Sequence, residues 1–303
     1  MPIKNMNPIP SSLRPWLWFA AKAAIGGGAF AVVISRVPLR EALDAVARLP
    51  VGTAALALGL TVLAHAITAE RLRLVLPGMT PGQAFRFTLI GLLYANVLPT
   101  PLAGDAVKAV RLARIHVAPG QAALAVVRDK LLGFAALAVI AVAATATGEM
   151  PPVVTAIAAG LIAAIALVWR GLSRVPWLAE KLGFGTVEGA EAPAPRHYVV
   201  NFVWGIVFQI LCAVIFAVIG GALGLELDPA QWVVVYATVT LVLLLPVTVA
   251  GLGLREGTLV GVLAFFGQNE AAALALSLCL LALGLLGALA GLVAETGRDR
   301  AGA

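Results

Sequence analysis

Charge is what this chain most lacks. Only 12% of its 303 residues are Asp, Glu, Lys or Arg, while 61% are hydrophobic. That is about half the charge of a soluble domain, which excludes a soluble fold built round one large core. The net charge of +6 therefore does not imply nucleic acid, because basic residues collect on the cytoplasmic side of membrane proteins. Cysteine is scarce too. Cys212 and Cys279 lie inside apolar runs with no metal-ligand neighbour, so no disulfide framework is expected and both read as small apolar filler. The sequence has no His/Cys/Asp cluster at metal spacing, no Gly-x-Ser-x-Gly elbow and no P-loop. Gly251-x-Gly253 lacks the third glycine of a dinucleotide fingerprint. No catalytic residue, metal or cofactor is expected, and any transport would be gradient-driven or passive.

What the chain does have is long apolar runs. Several approach or exceed the about 20 residues that cross about 30 Å of hydrocarbon. Six crossings are expected, over residues 16–35, 51–69, 121–148, 153–169, 198–220 and 270–295. Lys4 and Arg14 precede the first, in the manner of a signal anchor rather than a cleaved peptide. Lys22, two turns into it, reads as snorkelling to the interface. His65 reads as a packing residue, with a proton relay as the alternative. Residues 36–48 read as a short loop, and Glu70, Arg71 and Arg73 as the start of another. Asn201 and Gln209 are polar points in the fifth run, and Glu226 and Asp228 fill a short acidic loop. Residues 170–197 form the longest polar segment and the natural seam between two halves.

Those halves share a motif. Leu98-Pro99-Thr100-Pro101-Leu102-Ala103-Gly104 is matched by Leu245-Pro246-Val247-Thr248-Val249-Ala250-Gly251. Both end an apolar run where proline removes a backbone donor and glycine frees the chain to turn. Upstream, Pro81-Gly82-Gln83 matches Pro229-Ala230-Gln231; downstream, Ala122-Ala123-Leu124-Ala125 matches Ala272-Ala273-Leu274-Ala275. Paired Gly/Pro-interrupted segments in two halves of a membrane protein point to a transporter's substrate site. The segments at about 84–117 and 231–267 are too short for a comfortable crossing on each side of their breaks. They are expected to be re-entrant helical hairpins, bent at Pro99, Pro101 and Gly104 and at Pro246, Gly251 and Gly253.

Charge orients the chain. With the N-terminus in the cytoplasm, the cytoplasmic segments hold most of the basic residues, and the outer loops hold only Arg36, Arg40 and Arg48. The first half, residues 1–150, then runs inside to outside, and the second, 151–303, outside to inside. The expected fold is an all-α polytopic membrane protein of six crossings and two hairpins in inverted repeats, with both termini cytoplasmic.

Charge at membrane depth is costly and marks function by default. Arg255 has a planar fork suited to phosphate and is the leading candidate for an anionic head group. Glu256 and Asp105 would set its charge balance. The alternative is that Arg255 pairs with one of them and pins the hairpins together. Lys108, Arg111, Arg128 and Lys130 would form a cytoplasmic vestibule; the alternative for Lys108, Arg111 and Arg114 is a solvated face near anionic lipid. Asn96 and Thr248 sit beside the breaks, as ligands or as backbone caps.

These motifs resemble a known family. Leu98-Pro-Thr-Pro-Leu-Ala-Gly-Asp105, Arg128-Asp129-Lys130-Leu-Leu-Gly133 and Pro246-Val-Thr-Val-Ala-Gly-Leu-Gly-Leu-Arg-Glu-Gly257 are similar to the flippase-like transmembrane family of lysylphosphatidylglycerol synthases, and Arg71 and Arg73 also fit. The family often shows Glu-Arg where this chain has Arg128-Asp129. The resemblance implies an integral protein of the bacterial inner membrane that moves an anionic, polyprenyl-linked or hopanoid-type lipid between leaflets. Without the soluble aminoacyl-transferase domain, lysyl transfer is not expected. The expected partner is a membrane lipid, not nucleic acid; a second copy or a separate lipid-modifying enzyme would be a further one. A transporter of a small anionic solute, or a subunit of a lipid-glycan system, are the alternatives.

Overall fold

The computed structural model describes residues 14–76, 78–98, 101–115, 119–145, 152–171, 194–244, 247–248 and 251–297. Among them are eleven helices and no strand: α1 (Arg14–Arg36), α2 (Leu39–Ala47), α3 (Val51–Val75), α4 (Pro81–Val97), α5 (Pro101–Ile115), α6 (Pro119–Thr145), α7 (Pro152–Gly171), α8 (Pro195–Ala222), α9 (Pro229–Leu243), α10 (Leu254–Phe265) and α11 (Glu270–Thr296). Pro99 and Pro246 lie outside the described residues.

Helix length divides these elements. The helices α3, α8 and α11 have 25, 28 and 27 residues and are long and apolar enough to cross a membrane. Their outer faces carry bare aliphatics such as Leu63, Ile210 and Leu289, each about half exposed, as hydrocarbon solvent permits. The pair Ala20–Arg36 and Leu39–Ala47 passes as one broken span, bent by 87°. The helix α6 has 27 residues but carries Arg128, Asp129 and Lys130 in its first half. By contrast α4, α5, α9 and α10 have 17, 15, 15 and 12 residues. At about 1.5 Å per residue each is shorter than about 26 Å, less than the hydrocarbon core.

Two expected loops are helical. Residues 36–48 contain α2, whose Ala42 is fully buried; its charges lie on the other side of an amphipathic turn. Glu70, Arg71 and Arg73 belong to α3, which continues to Val75. The helix keeps going because Arg71 finds partners inside the protein. Of the polar seam, residues 172–193 lie outside the described residues.

The flanks of the two motifs fold alike. Thr80 caps α4, accepting from Gln83 N while Gln83 Oε1 accepts from Thr80 N at 2.9 Å. Asp228 caps α9 the same way, accepting from Gln231 N at 2.9 Å while Gln231 Oε1 accepts from Asp228 N at 3.1 Å. Proline at the first helical position and glutamine at the third complete both capping boxes. The two helices of each short pair pack on one another, α4 against α5 and α9 against α10. Packing repeats when the halves are exchanged. The short helix α4 lies along α11, and its counterpart α9 lies along α6; α3 and α8 pack directly on each other.

Backbones approach closely where side chains are absent. A Cβ on Gly104 would strike the Gly91 carbonyl and come within 2.9 Å of Ala95 Cβ, so α4 and α5 meet main chain to main chain. Small-residue contacts of this kind hold helices together where lipid gives no hydrophobic driving force.

Candidate functional site

The second motif leads into a cavity. Gly251 and Gly253 turn the chain with φ of +75° and +76°, a conformation glycine adopts freely. The helix α10 starts directly after them and carries Arg255 to a cavity of about 280 Å³ within the helices. Thr61 and His65 of α3, Cys212 of α8, and Tyr236 and Thr240 of α9 share its lining with Arg255, amid leucine, isoleucine and phenylalanine. Gly284 also borders it, and Asn96 Oδ1 lies 3.8 Å from where a Gly284 Cβ would stand. Asn96 itself donates to Leu92 O at 2.9 Å, one turn back in α4.

Glu256 faces elsewhere. It is fully buried. Oε2 accepts from Gly253 N at 2.6 Å and Oε1 from the Ser277 hydroxyl at 3.1 Å. It fastens the start of α10 to α11 and is absent from the cavity lining. Thr248 is buried, and its Oγ1 has no hydrogen-bond partner.

The first motif builds a different cluster. Asp105 takes Lys108 at 3.3 Å and Lys130 of α6 at 2.8 Å as ion-pair partners. Lys108 is buried against Gly91, whose missing Cβ leaves room for its chain. Arg111 pairs with Glu295 of α11, and the Arg128 guanidinium lies 5.6 Å over the Tyr198 ring. The Lys130 ammonium is also 5.5 Å from the Phe134 ring. Between α5 and α6 runs a groove of about 610 Å³, walled by alanine and valine with Asp105, Lys130 and Arg114 among its lining. The candidate residues are thus divided: Arg255 is at the cavity with Asn96 nearby, Asp105 and Lys130 are at the groove with Lys108 paired to Asp105, and Glu256, Arg111 and Arg128 line neither.

A third polar group was not expected. Arg71, only 5% exposed, lies 3.0 Å from Asp129 Oδ1 and donates to the Asp129 carbonyl at 2.7 Å. Asn201, fully buried, donates to Asp129 Oδ1 at 3.2 Å and to Arg71 O at 2.8 Å. Further along α8, Gln209 donates to Gly133 O at 3.0 Å and accepts from the Tyr236 hydroxyl. For the polar residues lining the cavity a signal is in the sequence. Thr61 and His65 are one turn apart, as are Tyr236 and Thr240, so each pair marks one polar face on an apolar helix.

No curated protein matches the chain. Residues 19–291 match the family described as "Lysylphosphatidylglycerol synthase TM region". The chain therefore belongs to that family, and its helices are those of a membrane-embedded protein.

Proposed function

We propose that this protein is a lipid translocase, moving a lipid between leaflets without making or breaking a covalent bond. The observation that carries the reading is the Arg255 guanidinium at a cavity shared by α3, α8 and the second short-helix pair. A guanidinium, an imidazole and hydroxyls round a small space suit a phosphate head group, while acyl or prenyl chains remain in the bilayer.

The architecture proposed with it is six crossings and two re-entrant hairpins, α4–α5 and α9–α10, in inverted halves of about 1–150 and 151–303. Support comes from the shortness of those four helices, their matched capping boxes and the exchange symmetry of the packing. Backbone that breaks at depth is tolerated where protein covers it. Basic residues orient both termini to the cytoplasm of the bacterial inner membrane. Lys108, Arg111, Arg128 and Lys130 then belong to the cytoplasmic approach, and Glu256 positions Arg255 by holding the first turn of α10.

The test is translocation of tail-labelled phosphatidylglycerol in vesicles containing the purified protein, followed by quenching of outer-leaflet label. Wild-type protein exposes label from both leaflets, and Arg255→Ala, purified as a monodisperse species, does not. Wild-type rates for Arg255→Ala would remove Arg255 from the route.

A further inference from the structure

We infer that Tyr236 is a specificity-determining residue of the cavity, an acceptor that takes a hydrogen bond from a hydroxyl or ammonium of the head group. The inference rests on the translocase reading for the identity of the site, and it does not depend on the net charge of the head group.

The direction of one hydrogen-bond chain carries it. The Gly133 carbonyl can only accept, so the Gln209 atom 3.0 Å from it is Nε2. That turns Oε1, an acceptor, toward Tyr236. The Tyr236 hydroxyl has one proton and gives it to Gln209 Oε1. What the phenol oxygen keeps for any other group is a lone pair. Tyr236 and Gln209 are both buried, so bulk water does not turn the amide or redirect the proton.

The anchor of the chain is itself fixed. Gly133 lies one turn after Asp129 in α6, and Gln209 lies two turns after Asn201 in α8. Asn201 donates to Asp129 Oδ1 at 3.2 Å. The two helices are thus pinned at a second point, which keeps Gln209 in register with the Gly133 carbonyl. Gln209 does not line the cavity; it sets the proton of the residue that does.

The other end of the chain opens on the cavity. Tyr236 lines it together with Thr240, one turn on in α9, and Cys212 of α8. Both are hydrogen-bond neighbours of the Tyr236 hydroxyl. Neither reverses the direction. If Thr240 donates to Tyr236, the Thr240 oxygen becomes the acceptor for the next group, so a chain whose protons all run toward Gly133 still ends in a lone pair. Thr61, on the α3 wall, behaves alike: its hydroxyl donates to Ala57 O at 2.7 Å. A head group that brings an O–H or N–H satisfies this wall. One that ends in methyl groups leaves a buried acceptor unpaired, which is costly.

The experiment uses two pairs of dioleoyl lipids, matched in charge within each pair and differing in the donor. Phosphatidylglycerol is set against phosphatidylmethanol, and phosphatidylethanolamine against phosphatidylcholine. Binding to the full chain in detergent is read by native mass spectrometry and thermal shift. Wild-type protein should prefer the donor-bearing member by about three- to tenfold, the factor of one net hydrogen bond. A preference confined to one pair names the donor as hydroxyl or ammonium. Tyr236→Phe should bring the ratio to one. So should Tyr236→Phe combined with Gln209→Leu, which also removes the amide that the single change leaves unpaired. A general loss of fold or affinity does not move a ratio within a matched pair. Equal binding within both pairs by wild-type protein overturns the inference, as does a ratio unchanged in the double variant or no binding of any of the four lipids. The wild-type comparison decides the matter even if neither variant folds. A donor preference in a protein that moves no lipid in vesicles would sink the translocase reading and leave the acceptor role of Tyr236 standing. Translocation with no donor preference would do the reverse.

Discussion

Arg71 Nη2 and Asp129 Oδ1 stand 3.0 Å apart in the buried interior, joining α3 to α6, with Asn201 of α8 bonded to both residues. Three long helices are thus tied at one point by groups that have almost no solvent. The cost of desolvating each ion is recovered only while its partner is there.

Removing one partner is therefore worse than removing both. Asp129→Ala is expected to destabilise the protein by about 3–5 kcal/mol, because it leaves a buried guanidinium without its counter-charge. The double variant Arg71→Met with Asp129→Leu should recover much of that loss. Thermal melts in detergent test this, and a double variant less stable than Asp129→Ala would refute it.

The cluster at Asp105 should respond unequally. The Lys108 side chain is 8% exposed and the Lys130 side chain 37% exposed, though both pair with the same carboxylate. Asp105→Ala strands a buried ammonium and should cost several kcal/mol, about 3–5 by analogy with other buried pairs. Lys130→Ala leaves Asp105 its buried partner and should cost less than about 1 kcal/mol. Equal losses in melting experiments would show that burial does not set the cost here.

How much of this was legible in sequence depended on the range of the signal. The Pro-x-Gln flanks at Pro81 and Pro229 were visible, and both became capping boxes, because a cap is decided within one helical turn. The apolar runs gave α3, α8 and α11 for the same local reason. Arg71 was misplaced in a loop because its partners, Asp129 and Asn201, are distant in the chain and no local pattern announces them. Residues 36–48 looked like a loop because α2 is too short and too charged to stand out. Glu256 was grouped with Arg255 by adjacency. Neighbours on a helix point about 100° apart, and the two side chains indeed go to different places.

Close helix contact at the first short-helix pair predicts a sharp position dependence. Gly104→Ala puts a methyl against the Gly91 carbonyl and Ala95, whereas Gly59→Ala adds one to open space. Overpacking costs about 1–3 kcal/mol, so Gly104→Ala should lower the melting temperature. Gly59→Ala should be neutral, or stabilising by up to about 1 kcal/mol through helix propensity. Indistinguishable melts would mean that α4 and α5 do not meet main chain to main chain.

Two glycines separate the cost of backbone conformation from that of space. Gly253 and Gly267 have φ of +76° and +71°, so an alanine at either carries a positive-φ penalty of about 1–3 kcal/mol. Their surroundings differ. A Cβ on Gly253 would strike the Gly26 carbonyl of α1 and come within 2.8 Å of Phe30 N, while one on Gly267 would meet nothing within 4 Å. Gly267→Ala should therefore show the conformational cost alone. Gly253→Ala should show that cost plus a clash of main chain with main chain, which no rotamer relieves, and it should also push the first turn of α10 away from α1. Since that turn carries Arg255, Gly253→Ala should reduce transport by more than Gly267→Ala at temperatures where both remain folded. Equal stability and equal transport for the two variants would show that α1 does not hold the turn in place.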